Sequence, residues 1–240
     1  SSIHYAKRIQ LNLLPNIDQF DSHFKDSFVL FKPKDIVSGD FYWVSNKNNL
    51  IIYATGDCTG HGVPGGFMTM LGSSFHNEIV NEKGITNTHE VLNLLRERII
   101  ISLKQTGAEG ENKDGIDMVL CIVDKKAKTL SYSAANNGFY ILRKGELIEF
   151  KPDKQPIGFY SEHKPFTPHK VDLLEGDLIY TFTDGYADQF GGPKGKKFKY
   201  KQLEDILVSI SHLPLQDQRD ILNEKIEEWM RDYEQVDDIC

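Results

Sequence analysis

The order of strand-like and helix-like segments is the feature that most limits the fold of this chain. Aromatic and β-branched runs predict strands in two groups, and apolar residues at helical spacing predict two helices after each group. Strands and helices do not alternate one by one, which argues against a parallel doubly wound sheet. Short turns between successive strands predict antiparallel pairing instead. We therefore expect an α+β fold: an antiparallel β-sandwich flanked by helices in α-β-β-α layers.

The bounds of these segments follow from the apolar patterns and the turn residues between them. The predicted strands are 28–31, 41–44, 50–54, 118–123, 130–134, 139–143, 147–150, 171–174 and 178–182. The predicted helices are 3–15, 64–80, 88–105, 201–211 and 216–233. Thr88 is the expected N-cap of the third helix. The Gly- and Lys-rich segment 191–197 is expected to be a mobile basic loop.

Composition and charge narrow the classes of protein that remain. The 240 residues are 40% hydrophobic and 26% charged, which suits a globular domain with a core of its own. No run of about 18 apolar residues is present, so we predict no membrane span. The net charge of -7 argues against nucleic-acid binding, because no excess of basic residues is available to neutralise phosphates. Cys58, Cys121 and Cys240 form no CxxC pair and predict reduced thiols in the cytoplasm.

Acidic residues adjoin glycines at the ends of three predicted strands. Asp40 follows Gly39 before one strand, while Asp57 and Asp184 follow two others. Aspartates held at strand ends and brought together would repel one another unless a cation lay between them. Mg²⁺ and Mn²⁺ prefer such oxygen ligands. The plain alternative is that these Gly-Asp and Asp-Gly pairs are ordinary turn dipeptides.

The run 56–62 (Gly-Asp-Cys-Thr-Gly-His-Gly) weakens that alternative. Three glycines in seven residues surround an acid and a histidine and lead into a predicted helix, which is more than a turn requires. The run is not a nucleotide-binding P-loop, because the Gly-Lys-Ser/Thr ending is missing.

Six segments carry a resemblance to a known family. They are 37–42, 56–64, 133–137, 155–158, 183–185 and 237–239. In this order they resemble the conserved segments of the SpoIIE-type branch of the metal-dependent serine/threonine phosphatases, the PPM family related to protein phosphatase 2C. The second resembles the branch's Gly-Asp-x-x-Gly-His-Gly motif, and the first and the last two resemble its other acidic motifs. The third departs from Ala-Asn-Ala-Gly-His, with Asn137 where histidine is common.

The resemblance implies two Mn²⁺ or Mg²⁺ ions that share a bridging aspartate. Carried onto the matching positions, Asp57 would be the bridge, and the backbone carbonyl of Cys58 would ligate one ion. Asp184 and Asp237 would complete the other site. Asp40 would act through bound water or complete the acidic ring.

A weaker third ion is also implied, and Asp238 would serve it. Asp114 and Asp117 are lesser candidates for that ion, and for both we favour a solvated turn. The predicted metal ligands are Asp40, Asp57, Cys58, Asp184, Asp237 and Asp238. The predicted catalytic residues are Asp40, Asp57, Asp184 and His61.

The activity implied is hydrolysis of phosphoserine and phosphothreonine by a metal-activated water, without a covalent phosphoenzyme. His61 has two readings: a proton donor to the leaving group, or a structural histidine that packs the strand-to-helix turn. Eukaryotic relatives use an arginine to hold the phosphate. Neither Lys32 nor Lys34 can be matched to that arginine from the sequence.

Domain organisation and partners complete the expectations. Residues 1–16 are expected to be a linker helix from an upstream sensory or coiled-coil region, and 17–240 a phosphatase domain whose last strand continues past Cys240. The expected substrate is a phosphorylated protein in bacterial signalling, of the anti-sigma-factor antagonist type, and a homodimer stays open. Two alternatives remain: a catalytically silent interaction module of the same fold, and a metal-dependent hydrolase of small phosphoesters or nucleic acid.

Overall fold

A computed structural model describes residues 1–16, 18, 20, 24 and 26–240. The strands are β1 Asp40–Lys47, β2 Leu50–Cys58, β3 Ile116–Asp124, β4 Thr129–Ala135, β5 Phe139–Arg143, β6 Glu146–Phe150, β7 His169–Asp172, β8 Leu178–Thr181, β9 Phe190–Gly191 and β10 Lys196–Lys197. The helices are α1 Ser2–Leu13, α2 Gly62–His76, α3 Thr88–Ser102, α4 Gly185–Asp188, α5 Tyr200–Ile210 and α6 Leu215–Met230. A π-helical segment, Asn77–Glu82, continues α2.

The strands form two main antiparallel sheets. The first has five strands in the order β1-β2-β3-β4-β7, and the second has three in the order β6-β5-β8. The strand pairs joined by short turns, β1–β2, β3–β4 and β5–β6, are neighbours in the sheets, as those turns predict. The antiparallel sandwich expected from the sequence is therefore confirmed.

Alternate residues of β5 show how the layers are built. Phe139 and Ile141 point into the core between the two sheets, whereas Tyr140 and Leu142 pack with α5 and α6 on the outer face. This alternation is the period of two that a strand buried on both faces requires. On the other side of the molecule, α2 and α3 cover the first sheet. The layers therefore run α-β-β-α.

Three local predictions are wrong. Segment 28–31 is not a strand: Lys32, just after it, makes a single antiparallel bridge to Ile239 instead of a ladder. The N-cap of α3 is Asn87, since Thr88 is already the first residue of the helix; the Thr88 hydroxyl bonds to Ser133 Oγ on β4 at 2.9 Å. Segment 191–197 includes the β9–β10 hairpin, anchored where Gly192 N donates to Trp229 O at 2.8 Å.

Helix α1 agrees with its prediction over most of its length. In the described part of the chain, no helix combines the length and apolarity needed to cross a bilayer.

Candidate active site

The register of the first sheet places three aspartates in one row. Asp40 on β1 lies opposite Asp57 on β2, and Asp57 lies opposite Asp117 on β3. Residues directly opposite in an antiparallel pair project from the same face of the sheet. That face is the one turned toward the second sheet, so the row lies at one end of the sandwich.

The second sheet adds Asp184, the residue at which α4 begins just after β8. Its neighbour Thr183 donates its hydroxyl to Asp40 Oδ2 at 2.5 Å. Thr183 also binds the C-terminal segment: its N–H donates to Cys240 O at 3.0 Å, and its hydroxyl accepts from Cys240 N at 3.1 Å. One buried threonine therefore joins both sheets and the chain's last residues.

The C-terminal segment lies beside the loop that leads into β1. Lys32 and Ile239 exchange backbone hydrogen bonds of 2.8 and 3.0 Å. The carboxylate of Asp238 accepts the N–H of Lys34 at 2.8 Å and that of Gly39 at 2.7 Å. Both oxygens of Asp238 are thus engaged by backbone, and a metal-ligating role for it stays a prediction.

Asp237 completes the acidic cluster, which we define as Asp40, Asp57, Asp184 and Asp237. Burial raises the pKa of Asp237, and the nearby Asp184 and Asp238 raise it further. Asp238 N donates to Asp237 Oδ1 at 2.8 Å, which opposes that rise and fixes the side chain. The four acids that the sequence singled out therefore lie within electrostatic reach of one another.

Burial and crowding act on the two central carboxyls. Burial raises the pKa of Asp40 well above its usual range; the Thr183 hydrogen bond opposes this, while Asp238 and Asp237 add to it. Burial also raises the pKa of Asp57, followed by the charges of Asp40 and Asp184. Carboxylates this close keep protons that they would lose in water, unless a cation replaces those protons.

The donor chemistry of the cluster fits a hard divalent cation. Asp57 lies within electrostatic reach of both Asp40 and Asp184, and Asp184 Oδ1 is buried without a partner among the described residues. Every side-chain donor in the cluster is an oxygen, as Mg²⁺ and Mn²⁺ require. No group of three or more His, Cys, Asp or Glu in the described ranges, however, has a geometry ready to hold a metal.

Cys58 takes part through its backbone. Its side chain is buried in the core under α2 and α3, and burial raises the pKa of its thiol well above the usual range. Its N–H donates to Gly39 O at 2.9 Å. A Cβ at Gly39 would lie 2.3 Å from Gly60 O and 3.4 Å from Cys58 O, so only glycine fits where these carbonyls approach. The carbonyl of Cys58 as a ligand stays a prediction.

His61 precedes α2 at the surface, and its side chain is half exposed instead of packed into the turn. Its Nδ1 lies 2.7 Å from Asp35 Oδ2, and its Nε2 lies 3.3 Å from Lys34 Nζ. Lys32 points elsewhere, with Nζ 3.0 Å from Glu227 Oε1. Lys34 is therefore the one of the two lysines that lies beside His61. The contact of Asp35 with His61 was not predicted from the sequence, because the spacing of Asp35 matches no motif.

Asp117 belongs beside the acidic cluster, and the solvated turn favoured for it is wrong. It lies within β3, and Asn136 Nδ2 donates to its Oδ1 at 2.9 Å. Burial raises its pKa, the Asn136 bond opposes this, and Asp184 adds to the rise. Asp114 lies before β3 and bonds to Asn112 in the loop, as a turn residue would.

The pattern of acids, glycines and sandwich matches a known family. The family described as Stage II sporulation protein E (SpoIIE) matches residues 47–240. The chain belongs to the SpoIIE family. The matched range contains Asp57, Asp184 and Asp237, whereas Asp40 precedes it. SpoIIE-type domains are protein phosphatase 2C-like, so both the predicted family and the predicted fold class are confirmed.

Solved structures agree with this SpoIIE-type fold. The SiaA-PP2C domain of Pseudomonas aeruginosa has a TM-score of 0.89 at 28% identity, covering 99% of this chain and 93% of that one. The SpoIIE phosphatase domain with a regulatory fragment, from Bacillus subtilis, has a TM-score of 0.69 at 19% identity, covering 88% of this chain and 58% of that one. RsbX in complex with magnesium has a TM-score of 0.57 at 13% identity, covering 88% and 89%. Comparison with curated proteins gives no match.

Proposed function

We propose that this domain is a metal-dependent protein phosphatase that hydrolyses phosphoserine and phosphothreonine. The observation that carries the proposal is the acidic cluster at one end of the sandwich, with Asp184 Oδ1 buried and unpartnered among the described residues. A fold held by its hydrophobic layers has no need to crowd carboxyls whose burial costs free energy. Two Mg²⁺ or Mn²⁺ ions would relieve that cost.

Each carboxylate has a distinct part in this proposal. Asp57 lies opposite Asp40 in the sheet and within electrostatic reach of Asp184, which suits a ligand shared by two ions. Asp184 and Asp237 would hold the second ion, and the carbonyl of Cys58 would serve the first. Bound divalent ions in such sites supply an activated water and stabilise the charge that develops on the phosphate oxygens.

His61 and Lys34 are proposed to act on the substrate itself. Asp35 orients the His61 ring through Nδ1, and the ring is proposed as the proton donor to the departing serine or threonine oxygen. Lys34 Nζ, beside the same ring, supplies a positive charge for the phosphate.

Hydrolysis of para-nitrophenyl phosphate with Mn²⁺ tests the metal site. We expect Asp57→Asn and Asp184→Asn each to lower the rate by about 100-fold or more, because each removes a charged oxygen from the ions. Asp205→Asn is the matched control, since Asp205 is an exposed helix residue paired with Lys201. Activity that survives both substitutions in the cluster would contradict the proposal.

The substrate is proposed to be a phosphoprotein of the anti-sigma-factor antagonist type. The support is the family alone, because no described residue identifies the partner. A panel of phosphoserine and phosphothreonine peptides, followed by such an antagonist, tests this step. Hydrolysis of the small ester with no phosphopeptide accepted would favour the small-phosphoester alternative.

The second candidate is a catalytically silent module that keeps the fold. The residues favour an enzyme, because all four acids of the cluster are present and lie together. Binding of an antagonist protein without Mn²⁺-dependent hydrolysis would favour the silent module.

The setting of the domain is also a proposal. All three cysteines are free thiols, which suits the cytoplasm. Residues 1–16 are proposed to link the domain to an upstream sensory or coiled-coil region. A homodimer stays a prediction, for which light scattering after size exclusion is the measurement.

A further inference from the structure

Helix α1 contacts the domain in an unusual way. Its one buried side chain is polar, that of Gln10. Its apolar side chains Tyr5, Ile9, Leu11 and Leu13 are exposed. A surface helix ordinarily buries an apolar stripe. Ile3 and Ala6 are half-buried, and Leu14, directly after the helix, lies in the core, so the hydrogen bonds of Gln10 add a buried polar contact to a small apolar one.

Gln10 pairs with the backbone of Ser38, 28 residues further along. Gln10 Oε1 accepts the N–H of Ser38 at 2.8 Å, and Gln10 Nε2 donates to Ser38 O at 2.7 Å. The second N–H of Gln10 donates to Thr69 Oγ1 on α2 at 2.9 Å. A carboxamide offers the same donor and acceptor as a peptide group, so Gln10 takes the place of a neighbouring strand.

Ser38 passes this constraint to Asp40. Its hydroxyl accepts the N–H of Asp40 at 3.0 Å. Between them, Gly39 donates to Asp238 and accepts from Cys58. Segment 38–40 is thus held from three sides: by α1, by the C-terminal segment and by β2.

Loss of the Gln10 hydrogen bonds would favour movement of segment 38–40. The N–H of the fully buried Ser38 would lose its partner, and its C=O would keep only the longer hydrogen bond from Thr69 Oγ1 at 3.4 Å. A shift of the backbone toward water would recover part of the lost free energy. Asp40 is two residues away and crowded by other acids, so its carboxylate would move with the backbone.

We propose that Gln10 is a positioning residue for Asp40, whose carboxylate it aims into the acidic cluster by fixing the backbone of Ser38. The consequence for metal binding rests on the proposed function. The consequence for the backbone does not, because the three hydrogen bonds of Gln10 are present in the protein alone.

Gln10→Met tests this role, because methionine keeps the length of the side chain and removes its hydrogen bonds. The matched control is Gln155→Met. Gln155 is equally buried, 5% exposed against 6% for Gln10, and likewise bonds to both backbone groups of one residue, Lys164, at 2.8 Å each. Gln155 thus repeats the chemistry of Gln10 on a different loop.

Amide hydrogen exchange without metal is the first measurement. We expect Gln10→Met to speed exchange at Ser38 and Asp40 by about 10-fold or more, equivalent to about 1.4 kcal/mol. In Gln155→Met these amides should exchange as in the wild type. Equal protection of Ser38 and Asp40 in all three proteins would overturn the proposal, whatever the enzyme assay shows.

The second measurement is the binding of Mn²⁺, monitored through the electron paramagnetic resonance signal of the free ion. We expect Gln10→Met to raise the Kd for Mn²⁺ by about 10- to 100-fold and Gln155→Met to leave it unchanged. An active wild type with an unchanged Kd in Gln10→Met would overturn the positioning role and leave the proposed function standing. If Gln10→Met does not fold, Ser38→Ala is the substitute variant, because it removes the hydrogen bond from Asp40 N to the Ser38 hydroxyl and should raise the Kd for Mn²⁺. An unchanged Kd in Ser38→Ala would likewise overturn the positioning role.

Discussion

The residues of the acidic cluster differ in what holds them. Asp40 accepts a hydrogen bond from the Thr183 hydroxyl, Asp57 is crowded by the charges of Asp40 and Asp184, and Asp184 keeps one oxygen without a partner among the described residues. The carboxylate of Asp40 is therefore already oriented for a cation, whereas Asp184 has an oxygen that a cation could engage. Substitutions around Asp40 should therefore change the orientation of its carboxylate, whereas substitutions of Asp184 should change the number of oxygen ligands offered to a cation.

Thr183→Val should weaken metal binding through Asp40. The substitution removes the hydroxyl that Asp40 accepts, and we expect the Kd for Mn²⁺ to rise by about 10-fold. Thr181→Val is the control: Thr181 lies two residues before Thr183, and its hydroxyl bonds to that of Thr55 on β2 at 2.8 Å and to no acid of the cluster in the described contacts. Equal Kd values for both variants, by calorimetric titration, would contradict this expectation.

His76 should give the stability a dependence on pH. Burial lowers its pKa to about 4, and its Nδ1 bond to Gly72 O only partly opposes this. The pKa of His76 in the folded protein is below its value near 6.5 in the unfolded chain, so protonation favours unfolding. The part of the stability that depends on neutral His76 is therefore fully present above pH 6.5 and is lost as the pH falls toward 4.

The shift of His76 corresponds to about 3 kcal/mol. We expect the free energy of unfolding of His76→Asn to vary less than that of the wild type between pH 7 and pH 5. Urea unfolding of both proteins without metal measures this, and the contribution of the acids is common to both and cancels. Parallel pH profiles would show that His76 is not the cause.

At the scale of elements, glycines set how closely the C-terminal segment approaches α4. A Cβ at Gly185 would lie 1.9 Å from the backbone oxygen of Asp238, so the segment would have to move. We expect Gly185→Ala to lower the free energy of unfolding by about 1–3 kcal/mol and to weaken Mn²⁺ binding, because Asp237 moves with its neighbour.

Gly176→Ala is the control for that prediction. No atom lies within 4 Å of a Cβ at Gly176, although its φ of +87° favours glycine. We expect a loss of about 1 kcal/mol in stability and no change in the Kd for Mn²⁺. Thermal unfolding and metal titration separate the two effects. Unchanged Mn²⁺ binding in Gly185→Ala would show that the close approach of the C-terminal segment to α4 does not affect the metal site.

Most elements could be predicted from the sequence because each carries its own period. Strand β3 and helix α3 have regular apolar patterns and lie close to their predicted bounds. Segment 28–31 has the composition of a strand, but a strand also needs a neighbour along its length, which no local pattern reports.

The candidate site divides in the same way. Asp57 and Asp184 adjoin glycines at strand ends, which is a local signal. Asp117 joins them through the register of β3, while Asp35 and Gln10 act through contacts that form only when the chain has folded.

At the scale of the whole molecule, metal binding should stabilise the fold by mass action. An ion that binds only the folded protein adds about 2.7 kcal/mol at a concentration of 100 times its Kd. We expect the Tm to rise with Mn²⁺ and to return on addition of a chelator, whereas Asp57→Asn should show little response. A Tm that is independent of Mn²⁺ in the wild type would count against a metal site in this domain.

The bond between Gly39 and Asp238 joins residues 199 positions apart. During synthesis the loop before Asp40 emerges early, and its partner is translated last among the residues that hold it. Until then both sheets can pair and their cores can form, but the acids at the end of the sandwich have no completed frame. The acids at this end of the sandwich therefore depend on a contact of very long sequence separation, which we expect to form late in folding.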